Sequence, residues 1–367
     1  MRSEYTDLLA TIEGEILGVL PERADEAWLE RFFGRLPAPP GEDLRRALNA
    51  PALDLVRRGG KRWRPLLLVL AARSFGREDG ALSLAPLVEI AHNGTLIVDD
   101  IEDSSDTRRG GPAIHLVHGV DAAVNAGNLL YFLPLALIDE LAPPGEPVAA
   151  PPGEPVAADR MRLGLHARYA LHMRRLHLGQ AMDILWHRDH SRIPDRASYL
   201  AMCALKTGVL ARAAAELGAI AAGAPAEGVD ALGLAFEGAG VAFQVMDDVR
   251  NLRTGNPGKK RGDDVVEGKK SLPVILACEA RPALAGRLRV LFAEARAGGP
   301  GAEAVEEAIQ LIESTGALEA AEAEARALLD KAESEVARVC PPSAAPGPGA
   351  AEARRLLAGL VPELEGK

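Results

Sequence analysis

The sequence predicts an all-α protein, a bundle of ten or more helices. Three observations carry that expectation. The chain has 367 residues, 48% of them hydrophobic and only 4% aromatic, and it is rich in alanine, leucine and glutamate, a composition that favours helix. Apolar residues recur at the three-to-four spacing of helix faces, and no strand-like alternation of any length interrupts them. The length is ample for one large core, so we read one main domain.

The elements follow in order. Residues 1–50 form an N-terminal helical extension that ends near PAPPGED at 37–43, where prolines break the pattern and Asp43 is placed to cap the next helix. A short lead-in helix then meets GGKRWRP. Residues 65–75 and 82–101 are apolar on most sides, as expected of helices at the centre of a bundle. A glycine-rich turn at 109–111 precedes a helix at 120–141. The segment PPGEPVAA at 143–150 is repeated at 151–158; proline at that density ends a helix and gives an exposed, extended loop, read as an expansion in a tolerant place. Helices are predicted at 159–188, 195–222, 227–253, 270–297, 301–315 and 318–339, closing a main domain of residues 51–340. A PPSAAPGPG linker and a last helix at 351–362 make up the terminal segment 341–367.

Composition also excludes. The formal net charge is −10 and the arginines are scattered, which argues against nucleic acid as a partner. The three cysteines, Cys203, Cys278 and Cys340, are widely spaced and lack a CxxC pairing. A disulfide framework or zinc site is not expected, and a reducing, cytoplasmic compartment is. The N-terminus is acidic and amphipathic and does not read as a signal peptide. The longest apolar run, 128–138, falls short of the ~18–20 residues that cross a bilayer, so no membrane span is expected.

Chemistry concentrates in TLIVDDIEDSSDTRRGG at 95–111. Asp99 and Asp103 are four apart and share one helix face, with Asp100 and Glu102 pointing elsewhere. So much unpaired negative charge at the end of an apolar helix is tolerable chiefly where metal ions neutralise it. FQVMDDVRN at 243–251 repeats the device with Asp247, Asp248 and Asn251. Two such ends suit Mg²⁺, which keeps waters and takes a few carboxylates together with substrate phosphates. Cations punctuate the same regions: Lys61, Arg62 and Arg64, then Arg108 and Arg109, Lys206, and Lys259, Lys260 and Lys269. Arginine forks and lysine point charges both suit phosphate oxygens. Two acidic clusters and four basic ones together suggest a site for two polyphosphates, one held through metal and one directly.

GGKRWRP, DDIED followed by RRG, HLGQAMDILW, LKTG, FQVMDDVRN and GKKRGDDVVEGKKSLP resemble, in order and spacing, the motif set of the all-trans prenyl diphosphate synthases over about residues 55–275. HNGTLIVDDIED, NAGNLLYF, HLGQAMDILW and the asparagine closing DDVRN are most similar to the geranylgeranyl diphosphate synthase branch called type III. GGKRWRP is closer to the other branches, in most of which the second acidic motif ends in aspartate.

The resemblance implies the isoprenoid synthase fold around a central cavity. It implies a Mg²⁺-dependent prenyltransferase joining isopentenyl diphosphate head to tail to an allylic diphosphate. Asp99 and Asp103 would hold two Mg²⁺ and Asp247 a third. Arg108, Lys206 and Lys269 would bind the allylic diphosphate, with Lys259 closing over it, and Lys61, Arg64, His92 and Arg109 would bind isopentenyl diphosphate. Thr207 and Gln244 would offer dipoles to the carbocation, and Gln180 and Asp183 would line the cavity. Gly94 and Thr95, the fifth and fourth residues before Asp99, are small and would leave the tail pocket open, with Tyr131 and Phe132 as its floor. A C20 product is expected, or C25 to C40 if the tail finds a way past, and a homodimer. Two rivals carry less: a terpene cyclase, for which Asn251, Gly255 and Lys259 supply the wrong triplet, and a non-catalytic subunit, in which both acidic motifs would be superfluous.

Overall fold

The computed structural model describes residues 5–77, 79, 81–141, 158–189, 192–255, 261–341, 343 and 347–364. The repeat loop up to Ala157 and Lys259 lie outside the described residues. The fold is all-α, and among the described residues the only strands are Thr107–Arg108 and Gly111–Pro112. The chain divides into two compact units: Met1–Leu171 with Ala213–Asp230 and Cys340–Leu357, and His172–Arg212 with Ala231–Val339 and Ala358–Lys367.

In the first unit the Trp63–Ser74 helix is fully enclosed, with Leu66 through Ala72 completely buried. Its apolar residues occupy every side, the property the sequence showed. Gly218 lies so close that an added Cβ would stand 2.2 Å from the Leu68 carbonyl oxygen, so this crossing exists only because position 218 has no side chain. The Ala85–Glu102 helix begins with Pro86 in its first turn and ends in a Schellman turn. There Ser104 is left-handed (φ 53°), and the amides of Ser104 and Ser105 reach Ile101 O and Asp100 O. That turn fixes where Asp99 and Asp103 project.

In the second unit the Ala226–Arg253 helix is closed by Gly255 (φ 84°), and Leu272–Ala280, Leu284–Gly298, Glu303–Glu313 and Ala317–Val339 follow. The sequence predicts one helix over 270–297. Two form because Arg281, which precedes Pro282, is driven out of the helical region (φ −143°). The predicted 195–222 helix is interrupted by a π-helical turn, Ala204–Gly208, between Arg196–Cys203 and Val209–Ala221. The predicted 120–141 helix tightens at Leu133–Leu135 around Pro134.

The two-residue ribbon at 107–112 is a further difference. Arg109 (φ 51°) and Gly110 (φ 75°) are both left-handed, the requirement of a two-residue hairpin turn. Among the described residues two helical stretches, Val120–Leu141 and Ala226–Arg253, are long and apolar enough to cross a membrane by length and composition alone. Half of the first window and 56% of the second are buried inside the structure, the surroundings of core helices.

Candidate active site

The first unit places Asp99 and Asp103 one turn apart at the end of the Ala85–Glu102 helix, both partly exposed. Asp100 points inward and is fully buried. There its Oδ1 accepts from Arg108 Nε at 2.8 Å and from Nη2 of the same guanidinium. Arg108 Nη2 also stands 3.6 Å from Asp99 Oδ2. Arg108 is thus anchored from beneath by Asp100 and held beside the acidic pair. Burial pushes the Asp100 carboxyl up and the Arg108 bond opposes it.

A second cluster surrounds the GGKRWRP turn. Arg62 is left-handed (φ 49°), which throws Lys61 outward and sends Arg64 into the unit, where it is 8% exposed. The Arg64 guanidinium lies 4.6 Å from the Trp63 ring centre, and its Nη1 donates to His92 Nε2 at 3.4 Å. Burial lowers Arg64 to about 10. Burial, with Arg64, Arg109, Arg108 and Arg62 around it, holds His92 well below its ordinary range, so the ring is neutral. With Nε2 accepting, Nδ1 carries the proton, and among the described residues neither His92 Nδ1 nor Arg64 Nε has a partner. Two adjoining buried donors without acceptors suit an anionic ligand. Arg109 donates to Asn93 Oδ1 at 3.0 Å and to Leu55 O at 3.2 Å, joining the hairpin to this cluster.

The tail-length residues are redistributed. A Cβ at Gly94 would stand 2.8 Å from Gly127 O, 2.9 Å from Leu130 Cβ and 3.1 Å from Tyr131 Cε1. Gly94 is small because the Val120–Phe132 helix crosses there, so its size does not open a pocket as the sequence suggests. Tyr131 is buried against this crossing, and Tyr169 Oη donates to its carbonyl at 2.6 Å. Phe132 is 68% exposed. Thr95 is partly buried, its hydroxyl donating to His92 O at 2.7 Å.

The second unit gathers the other motifs around the π-helical turn. Lys206 Nζ donates to Asp183 Oδ2 at 2.5 Å, with Gln180 one turn earlier on the Ala158–Arg188 helix. Thr207 donates to Gln244 Oε1 at 2.9 Å, Gln244 Nε2 to Asp248 Oδ1 at 2.9 Å, and Tyr199 to the other oxygen of Asp248. Burial and the nearby Asp264 push Asp248 up to about 7, while Asp247, one position earlier, is partly exposed. Lys269 meets Asp264 at 3.1 Å and Glu267 at 2.8 Å, which hold it well above its ordinary range although burial opposes them.

Asn251 is fully buried and turned inward, its Oδ1 accepting from the Asp264 amide at 3.2 Å. The asparagine of the second acidic motif therefore caps the Asp263–Glu267 helix. Glycines fix the turn: Cβ atoms at Gly179, Gly208 and Gly240 would fall 2.5 Å from Lys206 N, 2.6 Å from Glu237 O and 2.7 Å from Gly208 Cα. Residues of this kind, and Asp100, escaped a reading based on charge.

Among the described residues no three His, Cys, Asp or Glu side chains converge on a metal position. Asp99 and Asp103 in the first unit, and Asp247 in the second, are hard oxygen donors, the chemistry that suits Mg²⁺ completed by water and phosphate.

A polyprenyl synthetase family model matches residues 45–312. The chain is 35% identical over 300 residues to the geranylfarnesyl diphosphate synthase of Aeropyrum pernix, covering 80% of this chain and 87% of that one. It is 34% identical over 233 residues to the geranylgeranyl pyrophosphate synthase of Eremothecium gossypii, covering 62% and 68%. Similar solved structures include the geranylgeranyl pyrophosphate synthetase of the archaeon Geoglobus acetivorans, with a TM-score of 0.75, 25% identity and 99% of both chains covered. Another is a polyprenyl synthase of Caulobacter crescentus CB15 complexed with calcium and isoprenyl diphosphate, with a TM-score of 0.71, 28% identity and 97% and 94% covered.

Proposed function

The chain belongs to the polyprenyl synthetase family and is a prenyltransferase, and we propose that it condenses isopentenyl diphosphate head to tail with dimethylallyl, geranyl or farnesyl diphosphate to make geranylgeranyl diphosphate (C20). The observation that carries this reading is the pairing of two chemistries in one chain: partly exposed carboxylates at Asp99, Asp103 and Asp247, and cations grouped around His92 and around Lys206.

Asp99, Asp103 and Asp247 are the Mg²⁺ ligands in this proposal, and bound Mg²⁺ neutralises charge on the diphosphate leaving group. Arg108, aimed by Asp100, Lys206, aimed by Asp183, and Lys269 are each assigned to diphosphate oxygens in this proposal. Charge develops on those oxygens as the allylic C–O bond breaks, so donors fixed in advance stabilise the transition state more than the ground state. Lys61, Arg64, Arg109 and the His92 Nδ1–H hold isopentenyl diphosphate. Thr207 and Gln244 are bonded to each other and to Asp248, which presents dipoles to the cation without a strong nucleophile. The new bond joins the allylic carbon to the terminal alkene carbon of isopentenyl diphosphate, and the proton then lost passes to the departing diphosphate, so no protein base is assigned.

Val120, Val124 and Phe132, successively four and eight residues apart on one helix face, form an apolar stripe, 53%, 38% and 68% exposed. That stripe supports a homodimer, and a monomeric sedimentation profile would contradict it. The unpaired cysteines support a reducing, cytoplasmic location, which localisation of the tagged protein tests.

A C25 product is the second reading, favoured by the Aeropyrum relative named a geranylfarnesyl diphosphate synthase. Mass analysis of the dephosphorylated alcohols separates the two. The wild-type chain should give mainly C20 alcohol from all three primers, and Tyr131→Ala, which removes the ring packed at Gly94, should shift the distribution to longer alcohols. An unchanged distribution in that variant would remove Tyr131 from the control of length.

A further inference from the structure

The N-terminal helix Thr6–Val19 lies outside the residues 45–312 matched by the family model, yet it reaches into the basic cluster of the first unit. Glu13 Oε2 accepts from Arg62 Nε at 2.7 Å and its Oε1 from Nη2 at 3.0 Å. The remaining arms of Arg62 are taken by Glu89 Oε1 at 2.7 Å and Val56 O at 2.6 Å. Arg62 is 5% exposed, and all three of its guanidinium nitrogens donate within the protein. What it fixes is its own left-handed backbone, with Lys61 before it and Arg64 two residues after.

The network extends further. Glu89 Oε1 also accepts from Asn93 Nδ2 at 3.2 Å, and Asn93 Oδ1 accepts from Arg109. Arg109 Nη2 stands 3.8 Å from Glu89. A Cβ at Gly60 would meet both guanidinium groups, Arg109 Nη2 at 3.2 Å and Arg62 Nη1 at 3.3 Å. Two cations packed on either side of one glycine repel each other, and Glu13 and Glu89 are the carboxylates that offset this. Glu89 touches both cations, whereas Glu13 bonds to Arg62 and acts on Arg109 only through space.

We propose that Glu13 is a positioning residue for the isopentenyl diphosphate subsite, holding Arg62 so that Lys61, Arg64 and Arg109 keep the geometry that binds the diphosphate. This rests on the assignment of those three cations to isopentenyl diphosphate. Without the Glu13 charge, Arg62 turns toward Glu89 alone and displaces Arg109.

The test is steady-state kinetics of the full-length chain carrying Glu13→Gln, Glu13→Asp, Lys61→Ala or Arg31→Gln, with melting temperatures measured alongside. Arg31→Gln breaks a surface ion pair to Glu140 elsewhere in the N-terminal region and serves as the control. Glu13→Gln should raise KM for isopentenyl diphosphate roughly 10-fold, with kcat within about twofold and KM for the allylic substrate unchanged. Glu13→Asp, charged but shorter, should fall between it and wild type. An unchanged KM in Glu13→Gln beside a raised KM in Lys61→Ala overturns the inference and keeps the subsite. Unchanged values in both overturn the subsite and the inference together. Equal effects from Arg31→Gln and Glu13→Gln, or losses in kcat and both KM values that track melting temperature, reduce Glu13 to a general structural role and also overturn it.

Discussion

Replacing Asp103 by alanine is expected to lower turnover by roughly 100-fold or more, because an interaction made mainly to developing charge is lost. The fold should persist. Asp103 caps the Ala85–Glu102 helix through its backbone, whose amide bonds to Asp99 O at 2.8 Å. The Schellman turn behind it also uses only main-chain groups, so alanine leaves those bonds in place. Asp100→Ala should behave in the opposite manner. It removes the buried partner of Arg108 and leaves only the longer contact to Asp99 at 3.6 Å, and breaking a buried ion pair costs about 3 kcal/mol or more. Stopped assays and thermal melts of the two variants separate the roles. Near wild-type turnover in Asp103→Ala would remove that residue from metal binding.

Gly179→Ala is the second large expected effect. The added methyl group would stand 2.5 Å from Lys206 N, 2.6 Å from Leu205 C and 2.8 Å from Leu205 Cβ. Two of these neighbours are backbone atoms, so no rotamer change relieves the clash and the π-helical turn itself must move. Overpacking of this kind costs about 1–3 kcal/mol, which a large helical domain can absorb while remaining folded. Lys206 and Thr207 ride on that turn, and displacing reacting groups by about 1 Å can cost on the order of 100-fold in rate. We therefore expect kcat to fall about 10- to 100-fold with far-ultraviolet circular dichroism unchanged. An unchanged kcat would mean that the turn does not set the position of Lys206.

Much of this architecture is legible in the sequence because it is local. Apolar faces at three-to-four spacing locate the central helices, and charge at their ends locates Asp99, Asp103 and Asp247. Pro282 and Pro134 interrupt longer apolar patterns, and the restriction that proline places on its neighbour is also local. Other features depend on partners distant in sequence. Gly94 reads as an open pocket until the Val120–Phe132 helix is seen to cross it, and Asn251 reads only as the close of an acidic motif until the Asp264 amide is found beside it. Glu13 carries no motif at all, since its meaning comes from Arg62, 49 positions later. Phe132 and Tyr131 are adjacent in an aromatic pair, yet successive residues on a helix point about 100° apart, so one is buried and the other exposed.

The most direct test of the central claim is to incubate the purified full-length chain with isopentenyl diphosphate and farnesyl diphosphate. Elongated product is then weighed with Mg²⁺ present and again after chelation. Abundant product with Mg²⁺, abolished by chelation and restored by added Mg²⁺, is the predicted result. No elongation at saturating Mg²⁺ from farnesyl, geranyl or dimethylallyl diphosphate would contradict it, and would turn the chain into a binding subunit whose carboxylates and cations serve another enzyme's reaction.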